Sequence, residues 1–63
     1  MIESALGAMF EILVDGKPRS YRITRLAAMG AAQLLKRRNP NHEVAVRDMQ
    51  TGEVTAVADK PGS

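Results

Sequence analysis

The sequence predicts a single α+β domain of ββαββ order, a four-stranded antiparallel sheet with one helix packed on one face. Residues 9–24 and 42–58 each hold two alternating apolar and polar runs that are joined by a glycine-containing turn. Between them, residues 25–38 are rich in alanine and leucine, which favours a helix. A chain of 63 residues has room for one such domain only.

We expect the domain to span residues 8–58, with a flexible lead-in at 1–7 and a flexible tail at 59–63. A chain of this size buries only about 60% of its unfolded surface and is marginally stable alone. It contains no cysteine, so disulfides and thiolate metal sites are excluded. A homodimer is therefore expected on grounds of stability.

The first hairpin begins with residues 9–14, whose side chains alternate between two faces of a strand. One face carries Phe10, Ile12 and Val14, and the other carries Met9, Glu11 and Leu13. Asp15-Gly16 predicts a tight turn, because glycine supplies the positive φ that hairpin turns require. Pro18 has no N–H to donate, which predicts an edge strand or a bulge for the second strand.

The helix is expected from residue 25 to residue 38, with Thr24 as its N-cap and Asn39-Pro40 as its end. Helical periodicity places one apolar face against the sheet, with Leu35 at its border. That face consists of Leu26, Ala27, Gly30, Ala31 and Leu34. Close packing on the sheet would explain Gly30, which weakens a helix relative to alanine by about 1 kcal/mol.

The second hairpin has Val44 and Val46 on one face of its first strand and a loop with Gly52 before its last strand, residues 53–58. A helical crossover leaves the second and third strands parallel in direction. The third strand then pairs with the first, which gives the order 2-1-3-4. The sheet face opposite the helix stays open and carries Met9 and Leu13.

Composition argues against several classes of function. No apolar run approaches the roughly 20 residues of a membrane span, and the N-terminus lacks the basic start of a secretory signal. A cytoplasmic protein with no membrane partner is the expectation. One tyrosine, one phenylalanine and no tryptophan argue against a base-stacking platform for single strands.

Basic residues are concentrated between Asp15 and Glu43, where the chain has no acidic residue. Lys36-Arg37-Arg38 ends the helix, where cations stabilise the negative end of the helix dipole. The alternative is phosphate binding, which would use a larger basic set: Arg19, Arg22, Arg25, Lys36, Arg37 and Arg38. A helix of 14 residues is roughly 20 Å long, so these residues form two separate clusters unless both line one rim.

No catalytic, cofactor or metal site is expected. The single histidine, His42, is interpreted as a solvated residue or a local hydrogen-bond partner. Glu43, Asp48 and Glu53 lack the ligand spacing of a calcium loop and are interpreted as a solvated hairpin. Neither a triad nor a buried pocket for a small-molecule substrate is indicated, so we expect a protein that is not an enzyme.

The segments VDGKPRSYRIT, AAQLLKRRNP and EVAVRDMQTGEV follow a plan of strand, turn, strand, alanine-rich helix, strand, turn and strand. In this the chain resembles short uncharacterised bacterial proteins of ββαββ plan, over about three quarters of its length. The resemblance implies the fold and supplies no site residues, since such families are mostly of unknown function.

The leading functional hypothesis is a small non-catalytic interaction module that self-associates or binds a protein partner. Its interface would be the open sheet face, a sheet edge, or the helix face turned away from the sheet. Those residues are Met9, Leu13, Ala28, Met29 and Ala32. The alternative is a weak nucleic-acid binder that contacts phosphates through the basic set.

Overall fold

A computed structural model describes residues 9–58 of the chain. Its elements are β1 (Phe10–Val14), β2 (Lys17–Arg22), α1 (Arg25–Arg38), β3 (Val44–Asp48) and β4 (Val54–Ala56). The sheet order is β2-β1-β3-β4, and neighbouring strands are antiparallel. The fold class and strand order predicted from the sequence are confirmed. The expected lead-in at 1–7, the tail at 59–63 and residue 8 of the expected domain lie outside the described residues.

The turn between β1 and β2 is formed by Asp15 (φ 54°) and Gly16 (φ 80°). Positive φ at both central residues is the requirement of a type I′ turn, whose twist matches that of the flanking strands. In the ladder that follows, Ile12 pairs with Ser20 and Leu13 with Pro18, so Arg19 is the extra residue of a β-bulge. Pro18 therefore lies at a bulge in an edge strand, as its missing N–H predicts.

The ends of α1 agree with the sequence prediction. At the N-cap, the hydroxyl of Thr24 accepts a hydrogen bond from the backbone N–H of Ala27 at 3.2 Å. At the other end, the backbone and side-chain N–H groups of Asn39 both donate to the carbonyl of Leu35. Pro40 follows and prevents a further helical turn.

The core lies between α1 and the sheet and uses a different helix face from the predicted one. It consists of Ile12, Ala28, Ala32, Val44, Val46 and Val57. Ala28 and Ala32 are 0% exposed, whereas Leu26 is 84% and Leu34 is 49% exposed. Ala27 and Gly30 are exposed as well, so the predicted packing face is wrong for all but Ala31, which with Leu35 borders the core.

With α1 in this rotation about its axis, its first residue contacts β1 and β3. The guanidinium of Arg25 lies 5.5 Å from the ring centroid of Phe10 and its Nη2 is 3.9 Å from Asp48 Oδ2. The same rotation places Ala28 and Ala32 against the strands, where short side chains let the backbones approach. A Cβ added at Gly30 would meet no heavy atom within 4 Å, so close packing on the sheet does not explain this glycine.

Candidate binding surface on the helix and its groove

The solvent side of α1 carries an apolar ridge, here called the outer stripe, formed by Leu26, Gly30 and Leu34. Residues four positions apart lie in a row on a helix, so the stripe is about 12 Å long at 1.5 Å per residue. Leu26 and Leu34 are both exposed to solvent, and Gly30 leaves the helix backbone uncovered between them. Ile23, just before the N-cap, is 67% exposed. The helix thus exposes two of its leucines to solvent.

A groove separates α1 from β2, and we call it the basic groove. It is open to solvent and has a volume of about 220 Å³. Its walls include Arg19, Ser20, Arg22, Leu34, Leu35 and Arg38, with Ala31 beside them. The groove exists because α1 packs over the middle of the sheet, which leaves the β2 edge strand largely exposed. Leu34 belongs to both the groove and the outer stripe, so the two form one continuous surface.

Chain direction brings members of the two predicted basic clusters together at this groove. β2 runs towards the start of α1, so the beginning of β2 lies beside the end of the helix. Arg19 and Arg38 consequently line the same groove, and Arg22 joins them. Among residues 9–58 none of these three guanidinium groups has an ion-pair partner, although Arg22 donates to the carbonyl of Tyr21 at 2.7 Å.

The other three residues of the predicted basic set lie elsewhere. Arg25 is held by Phe10 and Asp48, as described above. The ammonium group of Lys36 donates to the carbonyls of Pro40, at 3.2 Å, and His42, at 2.8 Å, and so stabilises the turn after the helix. Arg37 is exposed on α1. Half of the basic set therefore meets in one groove, and Lys36 has a local role in the turn after the helix.

The interface residues predicted from the sequence are mostly buried inside the domain. Ala28 and Ala32 belong to the core and Met29 packs against it, so their prediction as an exposed helix surface is wrong. The cause is the rotation of α1 described above. Leu13 is only 8% exposed and Met9 is half-buried, so the far sheet face offers a partner little of either side chain.

That far sheet face is centred on a buried carboxylate rather than on apolar side chains. Glu11 is 3% exposed and forms an ion pair with Arg47. The register places Tyr21 and Arg47 directly opposite Glu11 on the two neighbouring strands. A hydrogen bond that the Tyr21 hydroxyl donates to the Glu11 carboxylate raises the pKa of the phenol above its ordinary value of 10.0.

His42 holds the β1–β2 turn against the start of β3. Its Nδ1 lies 2.6 Å from Asp15 Oδ2, and the other carboxylate oxygen accepts the backbone N–H of Glu43 at 3.0 Å. The hydrogen bond with His42, followed by that from Glu43, lowers the pKa of Asp15 below its ordinary value of 3.8. His42 is thus a local hydrogen-bond partner, one of the two roles expected for it.

Within residues 9–58, no three histidine, cysteine or acidic side chains come together as metal ligands would. The same part of the chain holds no helix of the length and apolarity needed to cross a membrane.

In comparisons with known proteins, no protein-family model, no curated protein and no solved structure matches this chain. The resemblance to short bacterial proteins of ββαββ plan therefore stays a prediction.

Proposed function

We propose that this domain is a small non-catalytic interaction module that binds another protein through the outer stripe and the basic groove. The observation that carries the proposal is the 84% exposure of Leu26 on a helix that buries alanines instead. Burying one leucine side chain is worth about 1.5–3 kcal/mol, which is a large gain for a small domain. A partner protein that covers the stripe would provide it.

The arrangement of the surface supports the proposal further. Single exposed apolar residues are ordinary on protein surfaces, but here the stripe continues through Leu34 into a concave groove. Protein interfaces commonly combine an apolar centre with a charged border. Leu34 lies between the stripe and the three groove arginines, which reproduces that arrangement on a small scale. We also propose, as the sequence analysis predicts, that the protein is bacterial and cytoplasmic.

A second candidate function is contact with the phosphates of a nucleic acid. It is favoured by one observation, the convergence of Arg19, Arg22 and Arg38 in a groove without an acidic lining residue. Phosphate contacts lose affinity steeply as salt rises, because bound counterions are released. Such binding would not depend on Leu26, whereas binding to the outer stripe would.

Site-specific photocrosslinking in the native cells tests the protein-binding proposal. A photoreactive phenylalanine analogue replaces Ala27, which is exposed next to the outer stripe, or Val54, which is 52% exposed on β4. Both variants keep the core intact. We expect a crosslinked protein product from position 27 and none from position 54.

The masses of the products separate the alternatives. A product of twice the chain mass would identify a homodimer, the state expected from the sequence, and its position would show which face is used. A nuclease-sensitive product would favour the nucleic-acid candidate. The same products from both positions, or none from position 27, would contradict binding through the outer stripe.

A further inference from the structure

We infer that the partner presents an acidic amphipathic helix, which lies along the outer stripe and places carboxylates in the basic groove. This inference rests on the function proposed above and specifies the chemistry of the partner. Four features of the surface lead to it: the straight apolar row, the uncovered backbone at Gly30, the groove arginines and the absence of acidic residues on α1.

The shape of the stripe matches a helix. Leu26, Gly30 and Leu34 form a row of the i, i+4 kind, and such rows interdigitate when two helices pack together. Gly30 is in the middle, where a Cβ would point into open space. It therefore has no packing role inside the domain, but a glycine at a helix crossing lets a second backbone come close. A side chain of the partner would occupy the space between the two leucines.

The charges determine what kind of helix fits. α1 contains no acidic residue and carries cations at both ends, Arg25 at the start and Lys36, Arg37 and Arg38 at the end. The adjoining groove adds Arg19 and Arg22. Apolar residues of the partner would meet Leu26 and Leu34, and carboxylates flanking them would reach the groove arginines, which lack ion pairs within residues 9–58.

The same charges disfavour a second copy of this chain on the stripe. In an antiparallel pair, the basic end of one α1 would lie beside Arg25 of the other. In a parallel pair, the two Lys36-Arg37-Arg38 ends would lie together. Like charges oppose both arrangements, and α1 has no carboxylate to relieve them.

Two other occupants fit the surface less well. An anionic bilayer would accept the leucines and arginines, but it is flat and would gain nothing at Gly30 or in a concave groove. A nucleic-acid backbone would pair with the arginines but would leave Leu26 in water. An acidic helix accounts for the leucines, the glycine and the arginines together.

The test is an amide NMR titration of the full chain with three synthetic helical peptides of about five turns. The peptides share one leucine seam and differ only in its flanking residues, which are glutamate, glutamine or lysine. We expect the glutamate peptide to shift the amides of Leu26, Gly30 and Leu34 and of the groove arginines. At low salt it should bind about tenfold more tightly than the lysine peptide, a difference that decreases as salt rises.

A matched pair of variants tests the groove. Arg38→Glu reverses a charge in the groove, and Lys17→Glu reverses an exposed charge of β2 that does not line it. Both change the net charge by the same amount. We expect Arg38→Glu to lower the affinity for the glutamate peptide by about threefold or more, since single exposed ion pairs have modest effects. Lys17→Glu should leave this affinity within about twofold of the parent's.

Several results would overturn the inference. Equal binding of all three peptides would exclude charge selection while leaving a protein partner on the stripe possible. Binding of none would reject an acidic helix, and the crosslinking from position 27 would decide the proposed function separately. Shifts of the same amides by duplex DNA or by anionic phospholipid vesicles, without shifts by the glutamate peptide, would assign the surface to those ligands.

Discussion

Replacing Gly30 with alanine separates the needs of the fold from those of the binding surface. Gly30 lies inside α1, its φ is not positive, and a Cβ there has no neighbour within 4 Å. The methyl group therefore costs nothing in packing. Alanine is favoured over glycine inside a helix by about 1 kcal/mol, because glycine loses more backbone freedom on folding. Gly30→Ala should raise the free energy of unfolding by that amount.

Urea denaturation followed by circular dichroism measures this difference. For a domain of this size, about 1 kcal/mol corresponds to a rise in Tm of roughly 4–8 °C. The matched control is Ala27→Gly on the same exposed side of α1, which should lower stability by a similar amount. If Gly30→Ala lowered stability, the glycine would be in contact with the rest of the domain and the rotation assigned to α1 would be wrong.

The same substitution should act in the opposite direction on binding. A methyl group at Gly30 would enlarge the distance between α1 and a helix packed on the outer stripe. The glutamate peptide should therefore bind Gly30→Ala more weakly although the fold is more stable. Unchanged affinity would show that the partner does not approach the middle of the stripe.

Four further predictions follow from burial and pKa. Leu26→Gln should change the free energy of unfolding by less than about 0.5 kcal/mol in a urea titration, because the side chain is 84% exposed. Ala32→Leu should lower it by about 1–3 kcal/mol in the same assay, because the added atoms have no space in the core. Because the pKa of Asp15 is lowered in the fold, its ionised carboxylate stabilises the fold at pH values above the ordinary pKa of 3.8. This contribution is lost as pH falls through the lowered pKa. Asparagine tolerates the positive φ at this position, so Asp15→Asn should be less stable than the parent at neutral pH, and the difference should shrink as pH falls below 3.8. A difference that does not change with pH would contradict the ionic origin. Ultraviolet titration of the only tyrosine should give a pKa above 10.0 for Tyr21, and Glu11→Gln should bring it down. The raised pKa means that the neutral phenol of Tyr21 stabilises the fold. This stabilisation is lost as pH rises through the raised pKa.

The sequence was sufficient for the elements and their order because local signals specify them. Asp15-Gly16 fits one turn type, Thr24 caps a helix, and Asn39-Pro40 ends it. These signals fix two hairpins joined by a helical crossover, and such a chain has few ways to arrange four strands in one sheet. The bulge at Pro18 was predictable for the same reason, since a residue without an N–H has few places in a sheet.

The rotation of α1 could not be read from periodicity, because the helix has two apolar faces. One contains Leu26 and Leu34 and the other contains Ala28 and Ala32. Hydrophobicity favours the leucines, but the helix packs Ala28 and Ala32 on the sheet, where short side chains let the backbones approach. The predicted interface was wrong for this reason, and the exposed surface is the face that was expected to be the core.

The basic groove was missed because the arginines belong to segments that are distant in sequence. Their proximity depends on the antiparallel course of β2 and α1, which the predicted topology already contained. The cluster around the buried Glu11 depends instead on the pairing register of the strands, since its partners Tyr21 and Arg47 come from the two neighbouring strands. One signal could have located this site. Glu11 is a charged residue in a central strand, and the pairing of the predicted first hairpin sets Tyr21 opposite it.

The central claim is that the outer stripe is a binding surface and not a part of the fold. It is tested most directly by crosslinking from position 27 in two backgrounds, the parent chain and Leu26→Gln/Leu34→Gln, with the unfolding free energy of both measured alongside. The account predicts that the crosslinked product is lost in the double variant while the stability of the domain changes little. An unchanged yield of product, or loss of the product through unfolding of the domain, would contradict it.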